Sequence, residues 1–253
     1  MLYDYPKYYE AAFAFRDIAI ETAFMEHAFN CYSEIPVRRI CEVACGQAPH
    51  AGELTKRGYD YTGLDINPNM VKYARDKWSQ LAVRPKVVMG DLVDYELDRP
   101  ADFTYVMIGS LYLPDTRSME RHFESVARNL KPGGLYFLDW CIQFYDPLSL
   151  DVRKPFRHTH NGITVESKFK IRLLDPGQNI YEEIWDVHID DHGKVKEFRM
   201  IEQNKAIFPG EFRQFLDRCD DFEFVGWWRD WDFDKPIADD IPIPRPLAII
   251  RRT

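Results

Sequence analysis

Residues 39–65, RICEVACGQAPHAGELTKRGYDYTGLD, decide the fold of this chain. They predict an apolar strand from Ile40 to Ala44, a turn of small residues, a helix that begins near Pro49, and a second strand that ends on Asp65. Such a βαβ unit places an adenosine-containing ligand outside the carboxyl ends of its strands. The acid at the tip of the second strand is then in position for the ribose hydroxyls.

Length and composition indicate a globular protein. The chain has 253 residues, 45% hydrophobic and 15% aromatic, which is enough for one sizeable core with an elaboration. No apolar run approaches the roughly 20 residues that cross a bilayer, and the N-terminus lacks the features of a signal peptide. We therefore expect a cytoplasmic protein with no membrane partner.

Charge and cysteine usage narrow the partners further. The net charge is -8 and no basic stripe stands out, which argues against nucleic acid as the main partner. The five cysteines form no CxxC pair, and we interpret them as reduced thiols. Two histidine pairs, 158 with 160 and 188 with 192, have no third ligand at a suitable spacing, so we expect no metal site.

The order of predicted elements indicates an α/β fold. Residues 8–31 predict one or two helices, and helices and strands then alternate up to a fifth strand that ends on Asp139 and Trp140. Alternating stretches over 152–208 predict antiparallel hairpins. A last helix, a sixth strand (Phe222 to Trp227) and a seventh strand (Arg245 to Arg251) follow. The Asp- and Pro-rich residues 232–244 predict a loop.

We therefore expect a Rossmann-like, seven-stranded, mostly parallel sheet with helices on both faces, and four regions. These are an N-terminal helical lid over 1–36, a ligand-binding core over 37–140, an antiparallel β insertion over 141–208 and the C-terminal end of the core over 209–253. The insertion could also join two copies of the chain as a homodimer, since exposed strand edges pair readily.

The turn after the first strand separates two classes of adenosine ligand. A pyrophosphate needs close backbone approach and free amides, which a GxGxxG turn supplies. Here Gly46 is the remaining glycine, Ala44 and Ala48 occupy the neighbouring small positions, and the proline that follows removes an amide. A ligand without phosphates tolerates this turn better. S-adenosylmethionine is such a ligand, with a ribose diol for Asp65 and an adenine edge for Asp91.

At these positions the chain resembles the class I S-adenosylmethionine-dependent methyltransferases. The matching motifs, spread over roughly residues 37 to 140, are Glu42 to Gly46, Gly63 to Asp65, Gly90 to Leu92 and Leu130 to Gly134. The tyrosine-rich N-terminus, the loop Ser110 to Leu113 and the β insertion are similar to the small-molecule branch of that family. That branch includes N-methyltransferases that act on amino sugars and on glycine.

The resemblance implies a cofactor-binding set for S-adenosylmethionine. Its members are Glu42, Ala44, Cys45 and Gly46 for the methionine end, Asp65 and Ile66 for the ribose and adenine, Asp91 and Leu92 for the adenine amino group, Met107, Ile108 and Gly109 around the sulfonium, and Tyr9 and Arg16 from the N-terminal helices. For Arg16 the alternatives are the ligand carboxylate or an ordinary surface charge. For Tyr9 they are a lid over the site or aromatic packing.

Methyl transfer is an in-line displacement at an already activated carbon, so positioning and desolvation supply most of the catalysis. Asp139, at a strand tip, is the first candidate for a general base, and a structural hydrogen bond is its alternative. Tyr112 could orient the nucleophile or simply pack. A further aromatic set could surround a cationic substrate: Trp140, Tyr145, Trp227, Trp228 and Trp231.

The function expected from these features is methyl transfer from S-adenosylmethionine to a small-molecule acceptor, at nitrogen or oxygen. Three alternatives stay open. They are a nicotinamide-dependent oxidoreductase, a methyltransferase that acts on macromolecules, and a non-catalytic protein that binds S-adenosylmethionine.

Overall fold

A computed structural model describes residues 1–82, 84–149, 155–238, 243 and 245–253. Within these residues six α-helices, α1 to α6, span Pro6–Ala12, Ile18–Tyr32, Ala51–Lys56, Pro68–Lys77, Thr116–Asn129 and Pro209–Leu216. The same residues form twelve strands, β1 to β12, at Arg39–Val43, Asp60–Asp65, Lys86–Met89, Ala101–Val106, Leu130–Asp139, Phe156–His160, Ile163–Asp175, Ile180–Asp191, Lys194–Lys205, Phe222–Arg229, Asp232–Pro236 and Leu247–Arg252. None of these helices combines the length and apolarity needed to cross a membrane.

The central sheet confirms the α/β architecture. Its described strands follow the order β11-β10-β12-β5-β4-β1-β2-β3. Strands β1 to β5 pair in parallel with one another, whereas β10, β11 and β12 are antiparallel to their neighbours. The order reverses between β1 and β4, so the carboxyl ends of these two strands border a crevice.

The sheet has eight strands in the described chain and not the expected seven. The additional strand is β11, which lies in the stretch that the sequence predicts to be a loop. Phe233 explains the difference, because its ring stacks on Phe24 of α2 at 4.0 Å and packs on Trp228 at 5.1 Å. Most of the remaining predicted loop, 239–242 and 244, lies outside the described residues.

The Lys-Pro-Gly-Gly sequence of residues 131–134 predicts a turn after the helix that precedes the fifth strand, and the structure departs from this prediction. They belong to β5, which already begins at Leu130 opposite Ala101, and a register shift between Ala101 and Phe103 absorbs the irregular backbone. Gly133 keeps a turn-like φ of 82°, and its carbonyl accepts a hydrogen bond of 2.9 Å from the Glu34 amide. The Pro-Gly-Gly run is thus a local bend inside the strand.

The predicted antiparallel hairpins form a second sheet of four strands in the order β6-β7-β8-β9. One face of this sheet is covered by the N-terminal residues, and the buried members of the shared apolar cluster are Leu2, Ala11, Ala12, Ile163, Val165, Val187, Ile189 and Met200. The α1 segment therefore lies between the second sheet and the ends of the central strands.

Candidate active site

The turn that follows β1 is built from left-handed backbone. Ala44, Gly46 and Ala48 have φ angles of 52°, 54° and 53°. Left-handed backbone favours glycine, so two of the three positions carry alanine at some conformational cost. The Gly46 amide donates to Oδ2 of Asp65 at 2.7 Å, which joins the turn to the tip of β2.

The tips of β2 and β3 present one buried acid, one exposed acid and an apolar surface. Asp65 is 9% exposed, and burial raises the pKa of its carboxyl group. Ile66, the next residue, is 66% exposed. Asp91 is exposed, and its Oδ1 accepts from the Val93 amide at 2.9 Å. The order of strands places these groups side by side beyond the sheet.

The N-terminal helices cover the other side of the turn. A Cβ built on Gly46 would lie 3.7 Å from Cε1 of Tyr9, so the Tyr9 ring rests on the turn. Burial raises the pKa of the Tyr9 hydroxyl. The Arg16 side chain is 5% exposed. It donates two hydrogen bonds to the Glu21 carboxylate, from Nε at 3.1 Å and from Nη2 at 2.5 Å. Its Nη1 has no hydrogen-bond partner in the described part of the chain.

Beneath the turn lies a buried polar cluster. Nε2 of His50 is 3.0 Å from Oε2 of Glu21, and Nδ1 is 3.5 Å from Oε1 of Glu42. Glu42 also accepts hydrogen bonds from the hydroxyls of Tyr61 and Tyr105. Burial alone lowers the pKa of His50, but its contacts with the two carboxylates raise that pKa above the ordinary value. The two carboxylates therefore favour the protonated form of His50.

The tips of β4 and β5 are held together by Asp139. Its carboxylate accepts from the Ile108 amide at 2.7 Å, and its carbonyl accepts from the Gly109 amide at 2.9 Å. Arg245 donates from Nε and Nη2 to the two carboxylate oxygens at 2.8 and 2.6 Å. Asp139 is fully buried, and both of its carboxylate oxygens accept hydrogen bonds. These contacts support the alternative of a structural hydrogen bond, and a role as general base stays a prediction.

An acidic and aromatic wall comes from the second sheet. Glu183 on β8 and Glu202 on β9 are direct cross-strand partners. The Tyr112 hydroxyl donates to Oε2 of Glu183 at 2.9 Å, and Nε1 of Trp185 lies 3.4 Å from the same oxygen. Burial, and next the charge of Glu183, raise the pKa of Glu202. Burial raises the pKa of the Tyr3 hydroxyl, and the charges of Glu202, Glu183 and Asp65 raise it further.

Comparison with known proteins identifies the domain. A family model described as a methyltransferase domain matches residues 40–134. A dTDP-3-amino-3,4,6-trideoxy-alpha-D-glucopyranose N,N-dimethyltransferase of Streptomyces venezuelae is 26% identical over 163 residues, which cover 59% of this chain and 67% of the relative. A ubiquinone biosynthesis O-methyltransferase of Xanthomonas campestris is 24% identical over 59% of this chain and 57% of its own length.

A solved structure agrees over nearly the whole chain. SAM-bound CalS10, an amino pentose methyltransferase from Micromonospora echinaspora, superposes with a TM-score of 0.72 at 17% identity and covers 97% of this chain and 96% of its own. This likeness extends the shared fold to the second sheet. Residues 40–134 of this chain therefore form a methyltransferase domain, and nearly the whole chain shares the fold of CalS10.

The geometry of this methyltransferase fits its cofactor, S-adenosylmethionine. A phosphate-free ligand suits the narrow left-handed turn, and the exposed face of Ile66 offers an apolar surface for an adenine. Arg16 is buried and anchored, so the alternative of an ordinary surface charge is wrong. Its role toward the cofactor carboxylate stays a prediction, as do the roles of the other cofactor-binding residues.

The remaining predicted site residues lie in two places, after β3 and β4 and around the turn that follows β1. Leu92, Met107, Ile108 and Gly109 follow β3 and β4 at the same edge of the sheet as Asp65. Ala44 and Cys45 form the turn itself, but Cys45 is 3% exposed and Glu42 is 2% exposed. The side chains of Cys45 and Glu42 therefore act on a cofactor indirectly, by supporting the backbone of the turn.

The aromatic set does not form a single cage. Successive strand residues point to opposite faces. Trp227 therefore packs on Phe144, at 4.9 Å, on one side of the central sheet, whereas its neighbour Trp228 packs on Phe233, at 5.1 Å, on the other. Trp231 follows the strand and packs on Phe24, at 5.4 Å, on the same side as Trp228. Trp140 and Tyr145 stay together, with Nε1 of Trp140 3.3 Å from the Tyr145 hydroxyl.

Sequence reasoning missed five polar residues of this methyltransferase that pair across the fold: Glu21, His50, Glu183, Glu202 and Arg245. The histidine directly follows the proline that begins the helix region, and its place there is a weak local signal. The cross-strand glutamates could have been found from the register of the predicted hairpins. The arginine had no signal, because its contacts depend on tertiary packing.

Proposed function

We propose that this methyltransferase transfers a methyl group to the amino group of a small-molecule acceptor, of the amino-sugar class. The observation that carries this proposal is the cross-strand pair of Glu183 and Glu202 beside Tyr112. Two carboxylates directly opposite each other repel and destabilise a sheet. A cationic amine between them removes that repulsion. The printed name of the Streptomyces venezuelae relative, an N,N-dimethyltransferase of an amino sugar, agrees with this class.

The residues around the crevice supply position rather than covalent chemistry. S-adenosylmethionine, when bound, provides a methyl group on a positively charged sulfur. In our proposal the turn from Ala44 to Gly46 and the Nη1 group of Arg16 hold the methionine end, Asp65 takes the ribose hydroxyls, and Ile66 packs on the adenine. Asp91 accepts from the adenine amino group, and the Leu92 amide lies beside it on the adenine edge. Such fixed placement is worth several orders of magnitude in rate.

An amine must lose its proton before it attacks the methyl carbon. We assign the removal of that proton to the pair of Glu183 and Glu202. Burial and the charge of its partner raise the pKa of Glu202, so this carboxylate takes up a proton more readily than an exposed one. Tyr112, which donates to Glu183, orients the pair.

Calorimetry with S-adenosylhomocysteine and with NAD tests the cofactor site. We expect S-adenosylhomocysteine to bind wild type, NAD not to bind, and Asp65→Ala to weaken binding by about 10- to 100-fold, since a hydrogen bond to a charged group is lost. Asp60→Ala, at the exposed start of the same strand, is the matched control. A wild type that binds NAD but not S-adenosylhomocysteine would refute the proposal.

Methyl transfer to paired acceptors tests the atom that is methylated. A nucleotide-linked amino sugar and its hydroxyl analogue are incubated with labelled cofactor, and products are identified by mass. We expect label on the amine only. Label on the hydroxyl analogue would favour O-methyl transfer, and label in a macromolecular fraction would contradict a small-molecule acceptor.

We also propose that the second sheet joins two copies of the chain. Strand β9 has one neighbour, β8, within the described sheet, and it exposes Val195 and Ile201 at 58% and 57%. An open edge with apolar side chains supports pairing with an identical edge. Light scattering coupled to gel filtration should give a dimer mass, and Ile201→Lys should shift it toward the monomer. A monomeric wild type would contradict this.

A further inference from the structure

Arg245 connects the two strand tips nearest the proposed methyl-transfer centre to the N-terminal helices. Its guanidinium is bidentate on Asp139, and Nη2 also lies 3.3 Å from Oε1 of Glu21. The next residue, Pro246, accepts a hydrogen bond of 2.8 Å from the Trp140 amide. Both the side chain and the adjoining backbone therefore fasten this segment to the end of β5.

Asp139 connects this segment to the tip of β4 by hydrogen bonds. Its carboxylate and its carbonyl accept from two consecutive amides, those of Ile108 and Gly109. Ile108 has φ 50° and Gly109 has φ 67°. A β-branched residue in left-handed backbone is a strained outlier, and it persists only where neighbouring contacts enforce it. The two hydrogen bonds to Asp139 are the contacts that enforce it here.

The other branch of the contact reaches Arg16. Glu21 accepts from both Arg16 and Arg245, and its side chain is 4% exposed. The charges in this buried group balance when His50 carries its proton. Three carboxylates, Glu21, Glu42 and Asp139, face three cations, Arg16, His50 and Arg245. Loss of the Arg245 charge would leave Asp139, which is fully buried, without a cation, and this is costly, whereas Glu21 would keep Arg16 and His50.

We propose that Arg245 is a positioning residue for methyl transfer: through Asp139 it holds the strained turn at Ile108 and Gly109 in its reactive conformation. This inference rests on the proposed function, since the turn lines the proposed sulfonium site. A bidentate guanidinium fixes the carboxylate plane, which a lysine ammonium cannot do. The arrangement therefore demands arginine and not merely a positive charge.

Steady-state kinetics of Arg245→Met and Arg245→Lys provide the first test. We expect kcat to fall by about 10- to 100-fold in Arg245→Met, because a small displacement at the reacting centre has effects of that size, with little change in KM for the acceptor. Arg245→Lys should recover only part of the loss. Arg251→Met is the matched control. It removes an arginine of β12 that contacts Glu223 and Glu34, and it should retain kcat.

A double-mutant cycle with Ile108→Gly separates positioning from simple stability. Glycine adopts the left-handed turn without strain, so it needs the Asp139 contacts less. Arg245→Met should then lower kcat much less in the Ile108→Gly background than in wild type. Equal losses in both backgrounds, or a lowered Tm with unchanged kcat of the folded enzyme, would overturn the inference.

Amide hydrogen exchange measures the turn directly and does not depend on turnover. Peptides that contain residues 108–109 should exchange faster in Arg245→Met than in wild type, and not in Arg251→Met. Unchanged exchange refutes the positioning role even if methyl transfer is confirmed. Faster exchange in a protein whose wild type binds no S-adenosylhomocysteine refutes the proposed function and leaves the contact with the turn established.

Discussion

At the scale of single residues, the charges beneath the turn of residues 44–48, which we propose to bind the cofactor and call the cofactor turn, are paired and buried. His50 is fully buried between Glu21 and Glu42, and Arg16 and Arg245 share Glu21. Burial raises the pKa of Glu21, but His50 and Arg16 more than offset this and bring it to about 2. Removal of one partner is therefore more damaging than the net strength of any one pair suggests.

The titration of His50 gives a prediction for stability. Its pKa in the folded chain is raised above the value of about 6.5 for a free histidine. The stabilising contribution is therefore complete below about pH 6.5 and is lost as the pH rises through the folded pKa. Wild type should exceed His50→Gln in Tm most at about pH 6, and the gap should narrow toward about pH 9.

Thermal unfolding at a series of pH values measures this gap. His192→Gln, with a side chain that is 68% exposed, is the control and should show a constant small difference. A gap that widens with pH would mean that His50 is neutral in the folded protein.

The acidic wall gives a second prediction at this scale. Glu183→Gln keeps the shape of the side chain but removes one of the two charges that we propose hold the acceptor amine. KM for the acceptor should rise by about tenfold or more, whereas the affinity for S-adenosylhomocysteine should not change. Glu197→Gln, an exposed acid on β9, serves as the control. An unchanged KM in initial-rate assays would remove the glutamates from the acceptor site.

At the scale of elements, the sequence predicts those helices and strands whose contacts lie close together along the chain. The βαβ unit and the acid of β2 arise from periodicity and turn residues within about 30 positions. Strand β11 depends on Phe233 packing against Phe24, 209 positions away by their numbers, and no local pattern reports such a contact. The bend at Gly133 was predicted correctly as irregular backbone, but its pairing with a neighbouring strand was not.

The start of α4 gives a prediction for one element. The Asn67 side chain accepts from the amides of Asn69 and Met70, and the Asn67 amide donates to Asp65 at 2.8 Å. Asn67→Ala removes the cap and should lower the free energy of unfolding by about 1 kcal/mol. Urea denaturation measures the loss. Asn69→Ala, at an exposed position of the same turn, should be close to neutral. Equal effects of both substitutions would contradict a capping role.

At the scale of the whole molecule, the N-terminal residues contact both sheets. Ala12 is 2% exposed in the apolar cluster beneath the second sheet, and the Tyr9 ring on the same helix rests on Gly46. A substitution that displaces α1 from the second sheet should therefore also change the conformation of the cofactor turn.

Ala12→Glu tests this coupling. A buried charge in the shared cluster should displace α1, increase the binding of an apolar fluorescent dye, and weaken the binding of S-adenosylhomocysteine. Ala19→Glu, the same change at an exposed position of α2, should have neither effect. Calorimetry and dye fluorescence provide the two measurements. Dye binding without a loss of affinity would show that the second sheet is independent of the cofactor turn.

The contact between Glu21 and Arg245 joins residues 224 positions apart. The ribosome delivers Glu21 long before Arg245, so a nascent chain carries the first half of the buried ionic group without its counterpart. At translation rates of about 5–20 residues per second, that interval lasts on the order of 10 to 45 seconds. The turn after β1 is thus synthesised early, whereas the buried ionic group beneath it is complete only after Arg245 has been added.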